Sequence, residues 1–580
     1  MMVKRLEEVG RVVDRASPVR RRKMRSSGLP RGAPMEPLGI NGDACYYLNS
    51  RRQIEVIRAK EHNALNLIGL AGEDSEWFYR HWPRYGREGA ITGWDARKVA
   101  EALIAACARA GLWEPMERER GPGAWRGEDG ELILHCGDAV LVVGDREEWK
   151  APGVIGRHVY PAAPALPRPV DVAPEVEAAG ERLLDLVRSW NWKRGDVDAR
   201  LMLGWIGAAL IGGALDWRPV AWLTGGRGTG KSTFHALLKH VFDGALIQAS
   251  DTSAAGIWQR LEKSTLPVAC DELEAEESNE RQLAVVKLAR QAASGGLVLR
   301  GGADHRATTF TARSCFLFSS ILIPPLLGQD RSRLVILELQ DIEPGRCPPR
   351  LEPERLRVLG MQLRRRLVQQ WSRFASTLAR YRDDLAAMGH SARACDQFGT
   401  LLAAANLLLE DGMAEDGEVD EVVAALEPVA VTEVGDDEPD EQQCLHHLLT
   451  AMIDPWRNGQ RNTVGAWLRK AARTDLAGED FREANRALGV YGIKVLGRPG
   501  QIEGLAVANQ RRNLTELFGD TRWAGKPGTI GVWVQSLRRL PGAKPSPNAV
   551  WIGGATGRAT VLPWPLVAER IMADTGDDDL

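Results

Sequence analysis

The pattern of apolar and polar residues is clearest around residue 220, where it predicts a strand, a glycine-rich loop and a helix in succession. The strand is the apolar run from Arg218 to Thr224, and the helix continues from Phe234 to His240. A short and nearly continuous apolar run beside glycines is typical of a strand buried in a parallel sheet.

Three later apolar runs have the same character. They are Leu266–Cys270, Ser314–Phe318 and Leu334–Leu337. Helical segments alternate with them, and strands that alternate with helices are expected to form one parallel sheet. The sequence therefore predicts an α/β fold with a P-loop nucleotide-binding core.

The region before this core has a different pattern, with short strands in pairs. Ala44–Leu48 and Gln53–Ile57 predict one hairpin, and Leu132–Cys136 with Ala139–Val143 predict a second. Between them, Asp95–Ala110 has the apolar spacing of an amphipathic helix. A small α+β N-terminal domain is expected.

The region after the core is expected to end in a basic domain. Between Gln442 and Arg570 there are 18 Lys and Arg residues and 9 Asp and Glu residues. Two helices, Thr463–Ala472 and Gly478–Leu488, precede a hairpin over Ile493–Val507, an order that indicates a winged-helix-like module.

Changes in composition predict the domain boundaries. Five prolines between Pro161 and Pro174 indicate a semi-rigid linker, and the absence of Lys and Arg from Ala394 to Trp456 indicates an acidic one. The predicted segments are a basic flexible arm (1–33), the α+β domain (34–150), the Pro-rich linker (151–174), a helical collar (175–215), the ATPase core (216–345), a helical lid (346–410), an acidic linker (411–441) and the basic C-terminal domain (442–580). The arm is either a phosphate-binding segment or a solvated tail.

Composition argues against several classes of protein. The 580 residues carry a net charge of -2, and no uncharged apolar run approaches the roughly 18 residues that a membrane span needs. The eight cysteines form no C-x-x-C pair, which argues against a zinc ribbon or a disulfide scaffold and favours a reducing compartment. We expect a cytoplasmic protein with no membrane partner.

The glycine-rich loop matches the pattern G-x-x-x-x-G-K-[ST] in the strand–loop–helix context that the pattern requires. Its backbone N–H groups would surround phosphate oxygens at the positive end of a helix. Lys231 would reach the β- and γ-phosphates of ATP, and Ser232 would bind Mg²⁺. The predicted nucleotide-binding residues are Gly225, Gly226, Arg227, Gly228, Thr229, Gly230, Lys231, Ser232 and Thr233.

A second motif ends the next apolar strand, 40 residues after Lys231, with Asp271 and Glu272. Asp271 is predicted to hold the Mg²⁺ shell and Glu272 to polarise the attacking water. The alternative is a solvated acidic turn, because the acidic run continues with Glu274.

Two further groups of residues are candidates for catalysis. A polar side chain at the end of the strand Ser314–Phe318, Ser320 or Ser319, is placed to contact the γ-phosphate or the water. Arg331 and Arg333 precede a core strand, where they suit insertion into a neighbouring subunit's ATP site. The alternative for these arginines is a surface ion pair.

A β-hairpin with a basic tip is predicted between the two carboxylates and the serine-ended strand. Arg300, His305 and Arg306 are its candidate DNA-binding residues, because such side chains contact phosphates without reading bases. The alternative is a plain solvated turn, since Gly301 and Gly302 would serve any turn.

In this order, the motifs resemble the superfamily-3 AAA+ helicases, and are most similar to those of phage and prophage replication related to the poxvirus-type helicase–primase. The stretch from about 216 to 340 carries the resemblance. It implies a hexameric ring that uses ATP and Mg²⁺ to translocate on single-stranded or forked DNA through its hairpins. The family usually has Asn where this chain has Ser320 or Ser319. Residues 1–150 show no primase carboxylate set, so a primase would be a separate protein.

Two functions therefore remain open from the sequence. The first is an ATP-dependent DNA helicase or translocase, favoured by the hairpin tip and the basic C-terminal domain. The second is an AAA+ remodeller or defence-type switch that acts on protein. A purely structural role is disfavoured because Lys231 and Glu272 are both present.

Overall fold

Five parallel strands at the centre of the chain form the sheet that the sequence predicted. The computed structural model describes residues 28–171, 174–250, 252–274, 279–301, 307–326, 328–331, 333–342, 349–412, 423–424, 426, 439–456, 461–473, 478–519, 521–526 and 528–573. The chain divides into two units, Met1–Val434 and Gly435–Leu580, and the sheet belongs to the first.

The first unit begins with an antiparallel sheet and helices that pack on it. The sheet is formed by β1 (Glu36–Asn41), β2 (Ala44–Leu48) and β3 (Ile54–Arg58), and a separate two-stranded sheet is formed by β4 (Pro83–Tyr85) and β5 (Ile91–Trp94). Its helices are α1 (Ala64–Ala71), α2 (Glu76–His81), α3 (Ala96–Ala110) and α4 (Pro115–Arg118), with 3₁₀ turns at Ala59–Glu61 and Gly72–Ser75. The predicted first hairpin and the amphipathic helix are both confirmed. Asp95 caps α3 by accepting hydrogen bonds from the N–H groups of Arg97 and Lys98.

A four-stranded meander follows and includes the predicted second hairpin. Its strands are β6 (Gly123–Arg126), β7 (Leu132–His135), β8 (Val140–Val143) and β9 (Glu147–Lys150), and β10 (Gly153–Ile155) pairs with β11 (His158–Tyr160). The apolar face of the meander, with Leu132 and Leu141, shares one hydrophobic core with the helices around the central sheet. The meander is therefore continuous in its packing with the central sheet and its helices.

The proline-rich segment after β11 lies along the surface of the first unit. Its Leu166 N–H donates to the Cys136 carbonyl at 2.9 Å, and its Val170 N–H donates to the Met361 carbonyl at 3.3 Å. Because proline has no N–H and restricts the backbone, this extended segment makes only a few such bonds.

The central sheet has the strand order β13-β14-β17-β12-β18, and all neighbouring strands are parallel. Its strands are β12 (Val220–Gly225), β13 (Ile247–Ser250), β14 (Val268–Asp271), β17 (Phe316–Ser320) and β18 (Leu334–Leu339). The phosphate-loop strand β12 lies between β17 and β18. The carboxyl ends of β12, β14 and β17 therefore meet at one edge of the sheet.

Helices cover both faces of this sheet. They are α5 (Ala179–Val187), α6 (Asp196–Leu210), α7 (Lys231–Phe242), α8 (Ala254–Leu261), α9 (Glu280–Ser294) and α10 (Gly328–Arg331), with 3₁₀ turns at Pro174–Val176 and Gly212–Ala214. Three more helices, α11 (Pro353–Gln370), α12 (Phe374–Ala387) and α13 (Ala392–Leu409), lie in the segment for which the sequence predicts a helical lid, with a 3₁₀ turn at Trp371–Arg373. Helix α6 is apolar on nearly all sides and is almost wholly buried.

Helices α6 and α13 approach closely at a glycine. A Cβ atom on Gly204 would lie 2.1 Å from the carbonyl oxygen of Leu401, so only glycine is accommodated there. Nearby, the Trp217 Nε1–H donates to Gln397 Oε1 at 2.7 Å, and Gln397 Nε2 donates to the Val220 carbonyl at 2.8 Å. Helix α13 is thus connected to Val220, the first residue of the central strand before the glycine-rich loop.

An antiparallel hairpin stands between β14 and β17 in the chain, as predicted. Its strands are β15 (Leu297–Gly301) and β16 (Ala307–Thr311), and Arg300 is paired with Thr308. The predicted tip residues His305 and Arg306 lie outside the described residues, and so do the contacts of the Arg300 side chain.

The second unit has its own core around a four-stranded sheet of order β21-β22-β26-β23. Its strands are β19 (Met452–Ile453), β20 (Asn462–Thr463), β21 (Ile493–Arg498), β22 (Gln501–Ala508), β23 (Lys544–Pro545), β24 (Val550–Ile552), β25 (Ala555–Gly557) and β26 (Ala559–Pro563). Its helices are α14 (Asp440–Thr450), α15 (Val464–Ala472), α16 (Glu479–Val490), α17 (Arg512–Leu517), α18 (Trp533–Leu537) and α19 (Trp564–Ala573). The predicted order of two helices and a hairpin is present as α15, α16 and β21–β22.

Candidate nucleotide site

The glycine-rich loop connects β12 to α7, and three of its glycines need conformations that other residues rarely adopt. The φ angles are 149° at Gly225, 81° at Gly228 and 97° at Gly230. A Cβ atom on Gly230 would lie 2.7 Å from Trp190 Nε1, which itself donates to the Gly230 carbonyl at 3.1 Å. The loop is therefore held in place from outside by an indole that sequence reasoning missed.

Lys231 begins α7 and turns its ammonium group back over the loop. Its Nζ donates to the carbonyl of Gly225 at 2.6 Å and to that of Gly226 at 2.8 Å. Burial lowers the pKa of Lys231, and the nearby carboxylates of Glu274 and Asp271 act in the opposite direction. The cation thus lies over the loop, where the phosphate groups of a nucleotide would bind.

The other loop residues are placed as an anion site requires. Thr229 is buried and its hydroxyl donates to the Gly226 carbonyl at 3.0 Å, which tightens the turn. Arg227 and Ser232 are exposed and Thr233 is half-buried. These residues leave the mouth of the loop open to solvent.

Asp271 and Glu272 lie where β14 ends, at the same sheet edge as the loop. Glu272 is exposed and has a φ of 58°, which is a strained conformation for a residue with a side chain. Its N–H donates to Asp271 Oδ1 at 3.0 Å. Such strain is common at functional sites, and it directs the two carboxylates differently.

Ser319 and Ser320 are both buried, but their side chains lie on opposite faces of β17. The Ser319 hydroxyl donates to Asp271 Oδ1. The Ser320 hydroxyl instead accepts a hydrogen bond from Trp222 Nε1 at 2.8 Å, on the face that carries Phe318. Of the two candidates that the sequence left open, the geometry favours Ser319, because strand alternation turns Ser320 away from Asp271.

His235 joins this group, although sequence reasoning did not single it out. It lies four residues after Lys231, one helical turn along α7, and is only 7% exposed. Its Nε2 lies 2.9 Å from the Ser319 oxygen and 3.6 Å from Asp271 Oδ1. Burial lowers the pKa of His235, while Asp271 acts to raise it. In the sequence, the sign of this role is that the histidine lies on the helix face that turns towards the sheet.

Glu274 is the third residue that sequence reasoning missed, because it resembles the rest of an acidic run. Its carboxylate accepts from the N–H of Ile321 at 2.6 Å and from that of Leu322 at 3.1 Å. The Leu273 N–H also donates to the Ser319 carbonyl at 2.9 Å. The segment after β14 is thereby attached to the turn after β17.

Arg331 and Arg333 lie at the other edge of the sheet. The strand β18 begins next to them at Leu334, which pairs with Val220, whereas Gly225 pairs with Leu339. At about 3.3 Å per residue, five residues of strand separate the two levels by about 16 Å. The arginines therefore lie far from the phosphate loop of their own chain.

A buried ion pair lies beside these arginines. Arg290 on α9 donates to Asp330 Oδ1 at 2.5 Å, and the Arg333 N–H donates to the Asp330 carbonyl at 3.1 Å. Burial lowers the pKa of Arg333, and the neighbouring cations Arg393 and Arg290 lower it further. Several cations thus lie close together near the start of β18.

The donor set at the sheet edge fits Mg²⁺ with a nucleotide. In the described part of the chain no cluster of three or more His, Cys, Asp or Glu side chains forms a metal centre. Mg²⁺ at a phosphate loop needs little from the protein, because phosphate oxygens and water complete its octahedron. The hydroxyl of Ser232 and the carboxylate of Asp271 are the residues that would hold it.

Comparisons with known proteins find only distant likenesses. No protein-family model matches the chain, and no curated protein is significantly similar to it. Among solved structures, the active helicase Cch of SCCmec type IV aligns with a TM-score of 0.41 and 11% identity, over 91% of this chain and 92% of that one. The apo NrS-1 C-terminal region aligns with a TM-score of 0.33 and 13% identity, over 91% and 96%. At these values the alignments by themselves establish neither fold nor function.

No helix among the residues described is both long enough and apolar enough to cross a lipid bilayer.

Proposed function

We propose that this chain is an ATP-dependent DNA helicase or translocase that acts as a hexameric AAA+ ring on single-stranded DNA. The observation that carries the proposal is the meeting of Lys231, Asp271, Glu272 and Ser319 at the carboxyl edge of one parallel sheet. This set combines a phosphate cradle with a carboxylate for the attacking water, which a nucleotide-hydrolysing site requires. A nucleotide-hydrolysing site is also consistent with the cytoplasmic location that the sequence predicts.

In the proposed reaction, the loop N–H groups bind the phosphates and Lys231 exchanges its two carbonyl partners for β- and γ-phosphate oxygens. Ser232 and Asp271 would hold a Mg²⁺ ion, which would supply positive charge beside the phosphates. Glu272 is exposed at the sheet edge and orients the water that attacks the γ-phosphorus. Ser319 connects this edge to the strand that follows the hairpin.

The position of the arginines supports action between subunits. Arg331 and Arg333 lie about 16 Å from their own loop along the strand direction, so one chain cannot supply both halves of the site. In a ring, the same arginines would face the loop of the next subunit and stabilise the transition-state charge. This placement and the sequence resemblance support a homo-oligomer, which we propose to be a hexamer.

The hairpin β15–β16 supports DNA as the substrate. It leaves the chain between the carboxylates of β14 and the serine of β17, so a movement at either strand end reaches it through the backbone. We assign DNA contact to Arg300, His305 and Arg306 on the strength of their charge and hydrogen-bonding capacity. We also propose that the DNA substrate can be forked and that a separate protein supplies the primase activity.

The deciding experiment measures ATP hydrolysis by the full chain with and without single-stranded DNA. We expect DNA to raise the rate, and Lys231→Ala to abolish both binding of ATP and hydrolysis. His305→Ala combined with Arg306→Ala should keep the basal rate and lose the stimulation. Hydrolysis that does not respond to DNA in the unchanged protein would favour the alternative, an AAA+ remodeller or defence-type switch that acts on protein.

A further inference from the structure

A small hairpin in the second unit presents an exposed tryptophan. The hairpin is formed by β24 and β25, and its Ile552 is buried in the core of the unit at 5% exposure. Because side chains alternate along a strand, the neighbouring Trp551 turns outward, and it is 61% exposed. Few tryptophans of a folded protein expose this much ring, since an indole is a large apolar surface.

The hairpin is held firmly against the rest of the unit. Its turn contains Gly553 and Gly554 with φ angles of 54° and 83°, which only glycine adopts easily. A Cβ atom on Gly553 would lie 1.9 Å from the carbonyl oxygen of Gly489, so the turn packs directly on the end of α16. The exposed ring is therefore presented by a fixed backbone.

Two cationic side chains bind the backbone carbonyl groups of the hairpin. Lys494 Nζ donates to the Trp551 carbonyl at 3.0 Å, and Arg511 Nη2 donates to the carbonyls of Ile552 and Gly553 at 3.2 and 2.7 Å. Among the residues that the structure describes, no carboxylate forms an ion pair with Lys494 or Arg511. Their positive charge is thus left without an acidic partner beside the exposed ring.

The surrounding sequence also carries a net positive charge. Between residues 484 and 568 there are eleven Lys and Arg residues against three Asp and Glu residues. The basic residues are Arg486, Lys494, Arg498, Arg511, Arg512, Arg522, Lys526, Arg538, Arg539, Lys544 and Arg558. A polyanion is the partner that such a surface attracts.

We propose that Trp551, with Lys494 and Arg511, is a site at which a base of single-stranded DNA stacks while its phosphates contact the two cations. An exposed aromatic ring beside unpaired cations is the combination that binds single strands without base specificity. A protein partner would more commonly require a contiguous apolar patch, whereas Trp551 is paired with a threonine, Thr556, on a hairpin whose carbonyl groups are bound by two cations. The site rests on the proposed function, because it gives the second unit a part in holding the strand.

The test is binding of fluorescently labelled oligothymidylate to the full chain without ATP, followed by anisotropy. Trp551→Ala should weaken binding about fivefold to a hundredfold, and Trp551→Phe should keep most of the affinity because phenylalanine still offers a ring. A label-matched abasic oligomer has phosphates but no bases, so its affinity should not change in Trp551→Ala. Lys494→Gln should weaken both oligomers and reduce the salt dependence.

Trp149→Ala provides a matched control. Trp149 is also exposed, at 43%, but the Arg168 guanidinium lies 5.3 Å from its ring centre and is paired with Asp138 at 2.6 Å. This variant should bind oligothymidylate as the unchanged protein does. Unaltered thermal melting of each variant shows that the fold is kept.

Equal affinity of Trp551→Ala and the unchanged chain for oligothymidylate would overturn the proposal, as would an equal loss on the abasic oligomer. The outcome is independent of helicase activity. Binding that depends on Trp551 in a protein without DNA-stimulated hydrolysis would keep this site and reject the proposed function. DNA-stimulated hydrolysis with no role for Trp551 would do the reverse.

Discussion

The imidazole of His235 and the hydroxyl of Ser319 lie 2.9 Å apart in the interior of the first unit. Ser319 has one hydroxyl hydrogen and donates it to Asp271. His235 Nε2 must therefore carry a hydrogen and donate to the serine oxygen. The direction of hydrogen bonding runs from the helix that begins at Lys231, through the serine, to the carboxylate at the end of β14.

This direction predicts the behaviour of His235 variants. His235→Ala leaves the Ser319 oxygen without its donor and should lower kcat for ATP hydrolysis about tenfold, with KM nearly unchanged. His235→Gln offers an amide N–H at a similar reach and should restore part of the rate. Steady-state ATPase measurements check both, and a rise in KM with unchanged kcat would show that His235 only supports the loop.

Glu272 and Glu274 follow β14, and substitution of each is expected to have a different effect on hydrolysis. Glu272→Gln should bind ATP normally and hydrolyse it about a hundredfold to ten-thousandfold more slowly, because the amide cannot accept the proton of the attacking water. Glu274→Gln is the control: its side chain accepts from the N–H groups of Ile321 and Leu322, and an amide oxygen keeps one of these bonds. Hydrolysis at the normal rate by Glu272→Gln would remove this residue from the site.

The position of Arg333 predicts complementation between subunits. Arg333→Ala and Lys231→Ala chains should each be inactive, while mixtures should regain activity at interfaces where one chain supplies the loop and the other the arginine. Hydrolysis should also rise more steeply than in proportion to protein concentration. The same mixture with Arg331→Ala tells which arginine acts, and mixtures as inactive as the single variants, under conditions of subunit exchange, count against an intersubunit site.

His135 predicts a pH dependence of stability. It is 1% exposed, its Nε2 donates to the Pro161 carbonyl at 2.8 Å, and its Nδ1 accepts from the Gly137 N–H at 3.1 Å. Burial lowers the pKa of His135 to about 4, below the value of about 6.5 for an unfolded chain.

Between these two values the unfolded chain binds the proton and the folded chain does not. Stability should therefore fall as the pH decreases from about 6.5 to about 4, by up to about 3 kcal/mol from this group. Urea unfolding at several pH values measures the loss. His135→Gln, which has no proton to bind, should show a smaller slope over the same range.

Much of the nucleotide site follows from local sequence. The apolar run before Gly225, the glycines themselves and the helix-forming residues after Lys231 specify strand, loop and helix within about twenty residues, because hydrogen bonding and steric limits act between neighbours in the chain. Asp271 and Glu272 were found in the same way, at the end of a strand. The hairpins of the first unit and the pair of helices before β21 also follow from local periodicity.

The partners of these residues were decided by tertiary structure. His235 is an ordinary helix residue in the sequence, and it becomes part of the site only because β17 lies between β12 and β14 and turns Ser319, not Ser320, towards it. Trp190 contacts Gly230 from a segment 40 residues away. Such contacts depend on strand order and on which face of a strand meets which helix. Sequence periodicity gives the alternation of faces but not the identity of the neighbour on each one.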